Sequence, residues 1–94
     1  MKDTEELIKD LKLKDSSARR HAIEMLGIMR DQRAVDALIL VLKDKNRFVR
    51  QEAIAALGKI GGETIVEPLT QALGKEKNEF VQDSIRKVLE KLRK

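Results

Sequence analysis

The sequence predicts an all-α fold, an α-solenoid in which about six helices stack as antiparallel pairs. The first reason is an internal repeat: ARRHAIEMLGIMR at 18–30 matches VRQEAIAALGKIG at 49–61, an offset of 31 residues. The second is that the next block repeats at the same offset, since VDALILVL at 35–42 matches VEPLTQAL at 66–73. A fixed period of this length, carried by two helical patterns, is typical of stacked helix-pair repeats.

Helices of two kinds alternate along the chain. We call the kind that contains VRQEAIAALGKI an A helix and the kind that contains VEPLTQAL a B helix. The short loops between them would force neighbouring helices to run antiparallel. The predicted order is B at about 4–13, A at about 16–30, B at about 32–44, A at about 47–60, B at about 64–74 and A at about 79–93.

Apolar residues recur along each helix at the spacing of one helical face, which predicts a shared aliphatic core. In the A helices this face comprises Ala18, Ala22, Met25, Leu26 and Met29, then Val49, Ala53, Ala56, Leu57 and Ile60, then Val81, Ile85, Val88, Leu89 and Leu92. In the B helices it comprises Leu7 and Leu11, then Val35, Leu38 and Leu42, then Val66, Leu69 and Leu73.

Polar residues and helix breakers stand where the helices should begin or end. The A helices are predicted to follow N-cap residues, namely Asp15 or Ser16, then Asn46, then Asn78. Asp3 and Glu6 have the spacing of a capping box for the first helix. Gly61 and Gly62 separate an A helix from the next B helix, and Pro68 falls in the first turn of that B helix, where a missing N–H matters least.

Length and composition suit one folded domain. The chain has 94 residues, of which 41% are apolar and 38% are charged, as in folded rather than disordered proteins. We predict a single repeat domain over 1–94. It would consist of a half-repeat at 1–14, full repeats at about 15–45 and 46–77, and a half-repeat at 78–94.

The charge distribution argues against a generally basic surface. The net charge is +4, but the last nine residues hold five basic residues and one acid, whereas the first 85 hold 15 of each sign. There is no cysteine, which excludes disulfides and zinc–thiolate sites and fits a cytoplasmic protein. No apolar run is long enough to cross a membrane, so we expect no membrane partner.

Together the two repeated blocks resemble the HEAT-repeat family, and most closely its short-repeat, phycobilin-lyase-like subgroup. The residues that carry the likeness are Val49-Arg50, Ala53, Ala56-Leu57-Gly58-Lys59-Ile60-Gly61, Val66-Glu67-Pro68-Leu69 and Ala72-Leu73. The resemblance implies a right-handed superhelical stack whose B helices line a concave surface. It also implies a range of functions: most HEAT proteins are protein-binding scaffolds, a few bind DNA or RNA, some handle bilins, and one branch is a metal-dependent hydroxylase.

No catalytic or metal site is predicted. The hydroxylase branch of the family uses His-Glu pairs at a fixed point of its A helices, where this chain has Arg20-His21, Gln51-Glu52 and Asp83-Ser84. A metal site needs several ligands in one place, and His21 is the only histidine. We therefore expect no enzyme activity and no cofactor, and we expect His21 to be exposed on its helix.

Arg19 and Arg50 occupy the arginine position that recurs in the family's A helices. The resemblance implies that each arginine pairs with an acid or a carbonyl group of a neighbouring repeat. Gln82 breaks this series in the last A helix, where we expect no following repeat to need an arginine.

Lysines recur in each loop that joins a B helix to the next A helix. Stacking would place them along one edge, which could bind nucleic acid or another polyanion. These lysines are Lys12, Lys14, Lys43, Lys45, Lys75 and Lys77. Four acids, Asp15, Asp44, Glu76 and Glu79, interleave with them and would dilute the field, and the chain has no Tyr or Trp for stacking bases. The sequence therefore favours a solvated edge over a nucleic-acid site.

Leu40 is the residue that most favours a partner surface. Lys9 and Gln71 hold the equivalent positions of the other B helices, so Leu40 would form an apolar spot on the concave surface. A scattered surface leucine is the simpler alternative. The candidate contact residues are Ile8, Lys9, Lys12, Asp36, Ile39, Leu40, Lys43, Glu67, Thr70 and Gln71.

The leading functional hypothesis is therefore a non-catalytic scaffold that binds a protein or peptide on its B helices, as a monomer or as a weak homodimer through Leu40. Polyanion binding along the lysine-bearing edge is the second hypothesis. The resemblance adds a third, an accessory to pigment or cofactor attachment, for which two full repeats would make only a shallow groove.

Overall fold

The computed structural model describes residues 1–93, which contain helices and no strand, as the predicted α-solenoid requires. The helices are α1 (Thr4–Asp10), α2 (Ser16–Met29), α3 (Val35–Val41), α4 (Arg47–Ile60), α5 (Val66–Lys75) and α6 (Glu79–Leu92). Short 3₁₀ turns at Gln32–Ala34 and Glu63–Ile65 lead directly into α3 and α5. Lys94, which the sequence assigns to the last half-repeat and to the basic C-terminal cluster, lies outside the described residues.

The A helices form one layer and the B helices form the other. In the A layer, α2 packs on α4 and α4 packs on α6. Each B helix packs on the A helix that follows it, so α1 lies on α2, α3 on α4 and α5 on α6. The result is a flat stack with principal extents of 33 × 25 × 15 Å. The exact limits of the repeats stay a prediction.

The predicted starts of α1 and of the three A helices are confirmed, and each has a local capping hydrogen bond. Helices α3 and α5 begin at Val35 and Val66 rather than at about 32 and 64, because the preceding residues form the 3₁₀ turns. The side chain of Asp15 accepts from the N–H of Ser17, while the Asn46 and Asn78 side chains each accept from two N–H groups of their helices. Asp3 and Glu6 form the predicted capping box. Gly61 and Gly62 have φ angles of 72° and 98°, which break the chain between α4 and α5 at little cost because they lack a Cβ.

The core follows the predicted faces with a few exceptions. Most residues of the predicted faces are buried, but Met29 and Val66 are each 40% exposed. Ile65 is fully buried while Val66 is exposed, whereas the equivalent residues Ala34 and Val35 at the first 3₁₀ turn are both buried. Ile23 and Ile54 are also fully buried, because α2 and α4 bury a second face in the stack.

Two glycines set the spacing of the A layer. A Cβ on Gly27 would lie 3.0 Å from the Cα of Ala56, and one on Gly58 would lie 3.0 Å from Cγ2 of Val88. These glycines lie 31 residues apart, so the same close approach recurs between α2 and α4 and between α4 and α6.

Candidate nucleic-acid interface

Arg19 ties its own loop to the next one. Its Nε and Nη2 donate to the two carboxylate oxygens of Asp44 at 3.0 and 3.3 Å. Its Nη1 donates to the carbonyl oxygens of Leu13 and Lys14 at 2.9 and 2.8 Å. Arg19 therefore fixes the loop between α1 and α2 against the loop between α3 and α4.

Arg50 repeats this arrangement one step along the stack. Its Nε and Nη2 donate to Glu76 at 2.9 and 3.1 Å, and its Nη1 donates to the carbonyl oxygens of Asp44 and Lys45. The predicted structural role of both arginines is thus confirmed. Gln82 keeps only the hydrogen bond to the preceding loop: its Nε2 donates to the carbonyl oxygen of Glu76, the residue six positions earlier.

These pairs place a guanidinium against each carboxylate, Arg19 against Asp44 and Arg50 against Glu76. Burial alone would raise the pKa of Glu76, yet hydrogen bonds from Arg50 and from the backbone N–H groups of Asn78 and Lys77 lower that pKa below its usual value. The carboxylate therefore stays ionised beside the guanidinium, with only 9% of its side chain exposed. Two of the four acids that were expected to dilute the lysine field are in this way matched by arginines.

The six predicted lysines are all exposed, and we call them together the lysine edge (Lys12, Lys14, Lys43, Lys45, Lys75 and Lys77). Lysines of neighbouring loops line the same cavities, which places the six along one side of the molecule. Asp15 and Glu79 remain as interleaved acids, and Asp15 already caps α2. A shallow cavity of about 660 Å³ borders Lys12, Lys14 and Lys45 between the first two loops.

The predicted concave spot and the lysine edge meet in one groove. A cavity of about 510 Å³ is lined by Ile39, Leu40, Pro68 and Gln71 from the B helices and by Lys43, Lys45, Lys75 and Lys77 from the edge. A neighbouring cavity of about 410 Å³ is lined by Ile8, Lys12, Leu40 and Lys43. Leu40, which is 68% exposed, lies in both, so the structure joins two surfaces that the sequence treated separately.

The other predicted contact residues lie outside these cavities. Lys9, Asp36, Glu67 and Thr70 are all exposed, but they do not line any of the three. The Thr70 hydroxyl donates to a carbonyl oxygen of its own helix, and Glu67 accepts from the Gln71 side chain. The structure thus gathers six of the ten predicted contact residues around the grooves.

Sequence reasoning missed a surface formed by the two phenylalanines. Phe48 and Phe80 are 47% and 64% exposed, and arginine side chains lie against their rings. The guanidinium of Arg47 lies 4.5 Å from the centroid of Phe48 and 5.5 Å from that of Phe80, and the Arg20 guanidinium lies 5.8 Å from Phe48. The sequence contained a signal for this surface, because the two phenylalanines recur at the same place, two residues after the Asn that caps each helix.

His21 is exposed on α2, as predicted. Across residues 1–93, no three His, Cys, Asp or Glu side chains come together in a way that could hold a metal ion. None of the helices described here combines the length and the apolar character that a membrane crossing needs.

The chain is similar to parts of longer proteins. It is 40% identical over 75 residues to epoxyqueuosine reductase of Bacillus cereus, which covers 79% of this chain and 20% of that protein. It is 44% identical over 61 residues to deoxyhypusine hydroxylase of Rattus norvegicus, covering 61% of this chain and 20% of that protein. The chain thus spans about a fifth of the length of either relative.

A solved structure shares both fold and sequence with this chain. It is a crystal structure of epoxyqueuosine reductase with an epoxyqueuosine-modified tRNA-Tyr stem loop, with a TM-score of 0.75, 36% identity, and coverage of 82% of this chain and 21% of that one. The family described as HEAT repeats matches residues 4–90, whereas the phycobilin-lyase-like subgroup stays a prediction. Over nearly its whole length, therefore, this chain belongs to the HEAT-repeat family.

Proposed function

We propose that this HEAT-repeat unit is a non-catalytic binding module and that its lysine edge binds the phosphate backbone of RNA. The observation that carries the proposal is the pairing of Asp44 and Glu76 with Arg19 and Arg50. Because these acids are already matched, the exposed lysines outnumber the remaining acids along the edge. The lysines can therefore replace the cations that are condensed on the RNA backbone. This reverses the order in which the sequence ranked protein and nucleic-acid partners.

The comparison with epoxyqueuosine reductase supports RNA over other polyanions. The similar part of that protein belongs to a structure that contains a tRNA stem loop. Because this chain spans only about a fifth of that protein, we carry over the class of partner and not the reaction.

A salt titration tests the proposal. Binding of a fluorescently labelled tRNA stem loop should weaken steeply between about 50 and 200 mM salt, because phosphate binding releases counterions. Replacing Lys43 or Lys75 with Gln should weaken binding and reduce the slope of log K against log salt by about one for each phosphate that the variant no longer neutralises.

Lys91→Gln is the matched control, since Lys91 is exposed at the far end of α6 from the lysine edge. It should leave the salt slope close to that of the wild type. If Lys91→Gln weakens binding as much as Lys75→Gln does, the charge of the whole molecule binds RNA and the lysine edge has no special role.

A second candidate, peptide binding on the concave groove, is favoured by one observation: Leu40 is 68% exposed beside a cavity that Ile39 and Pro68 also line. Leu40→Lys separates the two candidates. It should abolish capture of an apolar peptide partner while leaving helical content intact, and it should not weaken RNA binding, because it adds a positive charge. A loss of RNA affinity in this variant would count against phosphate binding at the edge.

A further inference from the structure

Phe48 and Phe80 are the only aromatic residues of the chain, and neither contributes to the core. Large aromatic side chains dominate cores and interfaces because they bury much apolar area. In this protein the core is built from Leu, Ile, Val and Ala, while both phenyl rings are left with open surface. Their exposure therefore needs an explanation other than packing.

The two rings form an ordered surface together with the arginines beside them, which we call the aromatic–arginine stripe (Arg20, Arg47, Phe48 and Phe80). The single guanidinium of Arg47 contacts both rings, at 4.5 and 5.5 Å from their centroids. These are cation–π distances, so the rings and guanidinium groups support one another across two successive A helices. Because each phenylalanine is still about half exposed or more, part of its surface remains open for a ligand.

The stripe borders the lysine edge. Lys45 and Lys77 stand three residues before Phe48 and Phe80, and each pair is separated only by the cap and first residue of its helix. A strand that runs along the lysines therefore passes a ring at two of the three loops, whereas Ser17 stands at the equivalent position after Lys14. The positive charge of the lysines and of Arg20 and Arg47 matches an anionic strand and disfavours an apolar peptide.

We propose that the aromatic–arginine stripe stacks unpaired bases of an RNA strand whose phosphates lie on the lysine edge. Phenyl rings and guanidinium planes are the groups on which splayed-out bases stack, while bases inside a duplex cannot reach them. The inference rests on the proposed function and specifies its substrate as RNA with unpaired nucleotides. It also replaces the expectation, based on the lack of Tyr and Trp, that the chain has little apparatus for stacking bases.

The test compares three labelled RNAs at low salt: an unstructured oligoadenylate, the same strand with abasic sites in place of its central bases, and a fully paired duplex of equal length. The variant is Phe48→Leu with Phe80→Leu, which keeps apolar bulk but removes the aromatic faces. Ile28→Ala is the matched control, because Ile28 is 56% exposed near the opposite end of an A helix. Circular dichroism checks that the helices are retained.

The wild type should bind oligoadenylate about tenfold or more tightly than the abasic strand, as expected for one or two stacked bases. The double variant should lose the same factor for oligoadenylate and nothing for the abasic strand or the duplex, and the control should match the wild type. If the double variant does not fold, the comparison of intact and abasic strands on the wild type still tests whether unpaired bases add to the affinity.

Four outcomes overturn the inference. If the wild type binds intact and abasic strands equally while Lys75→Gln weakens both, the lysine edge binds phosphate but the stripe stacks no bases. If the double variant weakens all three RNAs alike, or loses a protein partner while its RNA affinity is unchanged, the stripe does not recognise bases. If the wild type binds none of the RNAs, the proposed function itself fails.

Discussion

Arg50 binds two successive loops at once and also sets the charge of the surface around it. Its side chain is 18% exposed and that of Glu76 is 9% exposed. Each charge has therefore lost most of its contact with water and is compensated mainly by the other. Gln82, in the equivalent position of α6, keeps the bond to the carbonyl six residues earlier. Within residues 1–93 it forms no hydrogen bond to a carboxylate. An Arg50→Gln substitution can therefore remove the ion pair while retaining the bond within the loop.

We expect Arg50→Gln to reduce the free energy of unfolding by roughly 2–3 kcal/mol at neutral pH, because it leaves the mostly buried Glu76 carboxylate without its cation. The estimate lies below the cost for fully buried pairs because Arg50 is partly exposed. Adding Glu76→Gln to this variant should restore part of the loss, since no buried charge then remains. Urea unfolding of the two single variants and the double variant measures the coupling, and additive losses would show that the pair does not interact.

The same pair predicts the effect of pH. The folded protein holds the pKa of Glu76 below its unfolded value, so the stabilisation is complete above the ordinary glutamate pKa. It is lost as the pH falls through the lowered pKa of the folded state. In Arg50→Gln the cation that lowers this pKa is gone, so the stability gap between wild type and variant should narrow in acid. A difference in the free energy of unfolding that stays constant down to the lowest pH at which both proteins fold would contradict this.

At the scale of helices, Gly27 and Gly74 offer a matched pair of sites. Ala at Gly27 gains helix propensity of about 1 kcal/mol but places a Cβ 3.0 Å from the backbone of Ala56, which is packed and cannot move aside. Overpacking of this kind typically costs about 1–3 kcal/mol, so we expect a net loss of stability. Gly74 has no atom within 4 Å of an added Cβ, so Gly74→Ala should gain about 0.5–1 kcal/mol.

Thermal or urea unfolding of the two variants, made singly, provides the measurement. The change in the free energy of unfolding should be negative for Gly27→Ala and positive for Gly74→Ala, although the chemical change is the same. If Gly27→Ala is as stabilising as Gly74→Ala, the spacing between α2 and α4 is not set by the glycine.

Helix starts were predictable because their causes are local: Asn46 and Asn78 each bond to N–H groups two and three residues away. The burial of Ile65 was not, because Ile65 lies in the turn before α5, which the helical spacing counted from Leu69 does not cover. Burial of Ile54 likewise depends on which helices lie on either side of α4, which a single-helix pattern does not contain.

For the whole molecule, the internal repeat predicted the stack but not the site. The lysines of the edge and the apolar residues around Leu40 were both recognised as candidates, each from its own helix or loop. The structure brings these lysines and apolar residues into one groove and pairs Asp44 and Glu76 with arginines. Both results depend on hydrogen bonds and packing between residues about 25 positions apart. Such interactions are set by the stacking of neighbouring units and become visible only in three dimensions.

That stacking has a further consequence, because each unit is stabilised mainly by its neighbours. Helix α4 packs on α2, α3 and α6, whereas α6 packs mainly on α4 and α5. We therefore expect Leu57→Ala, at a fully buried site of α4, to accelerate amide exchange throughout α2, α3, α4 and α6. Leu89→Ala, in α6, should accelerate exchange in α4, α5 and α6 and leave α2 close to the wild type.

Hydrogen exchange followed by mass spectrometry distinguishes a stack of neighbours from a single cooperative unit. Each Leu→Ala change should cost about 2–5 kcal/mol, with Leu89 near the lower limit because it is 8% exposed. If Leu89→Ala accelerates exchange in α2 as much as in α6, the six helices unfold together. In that case the free energy belongs to the whole molecule and cannot be divided among its interfaces.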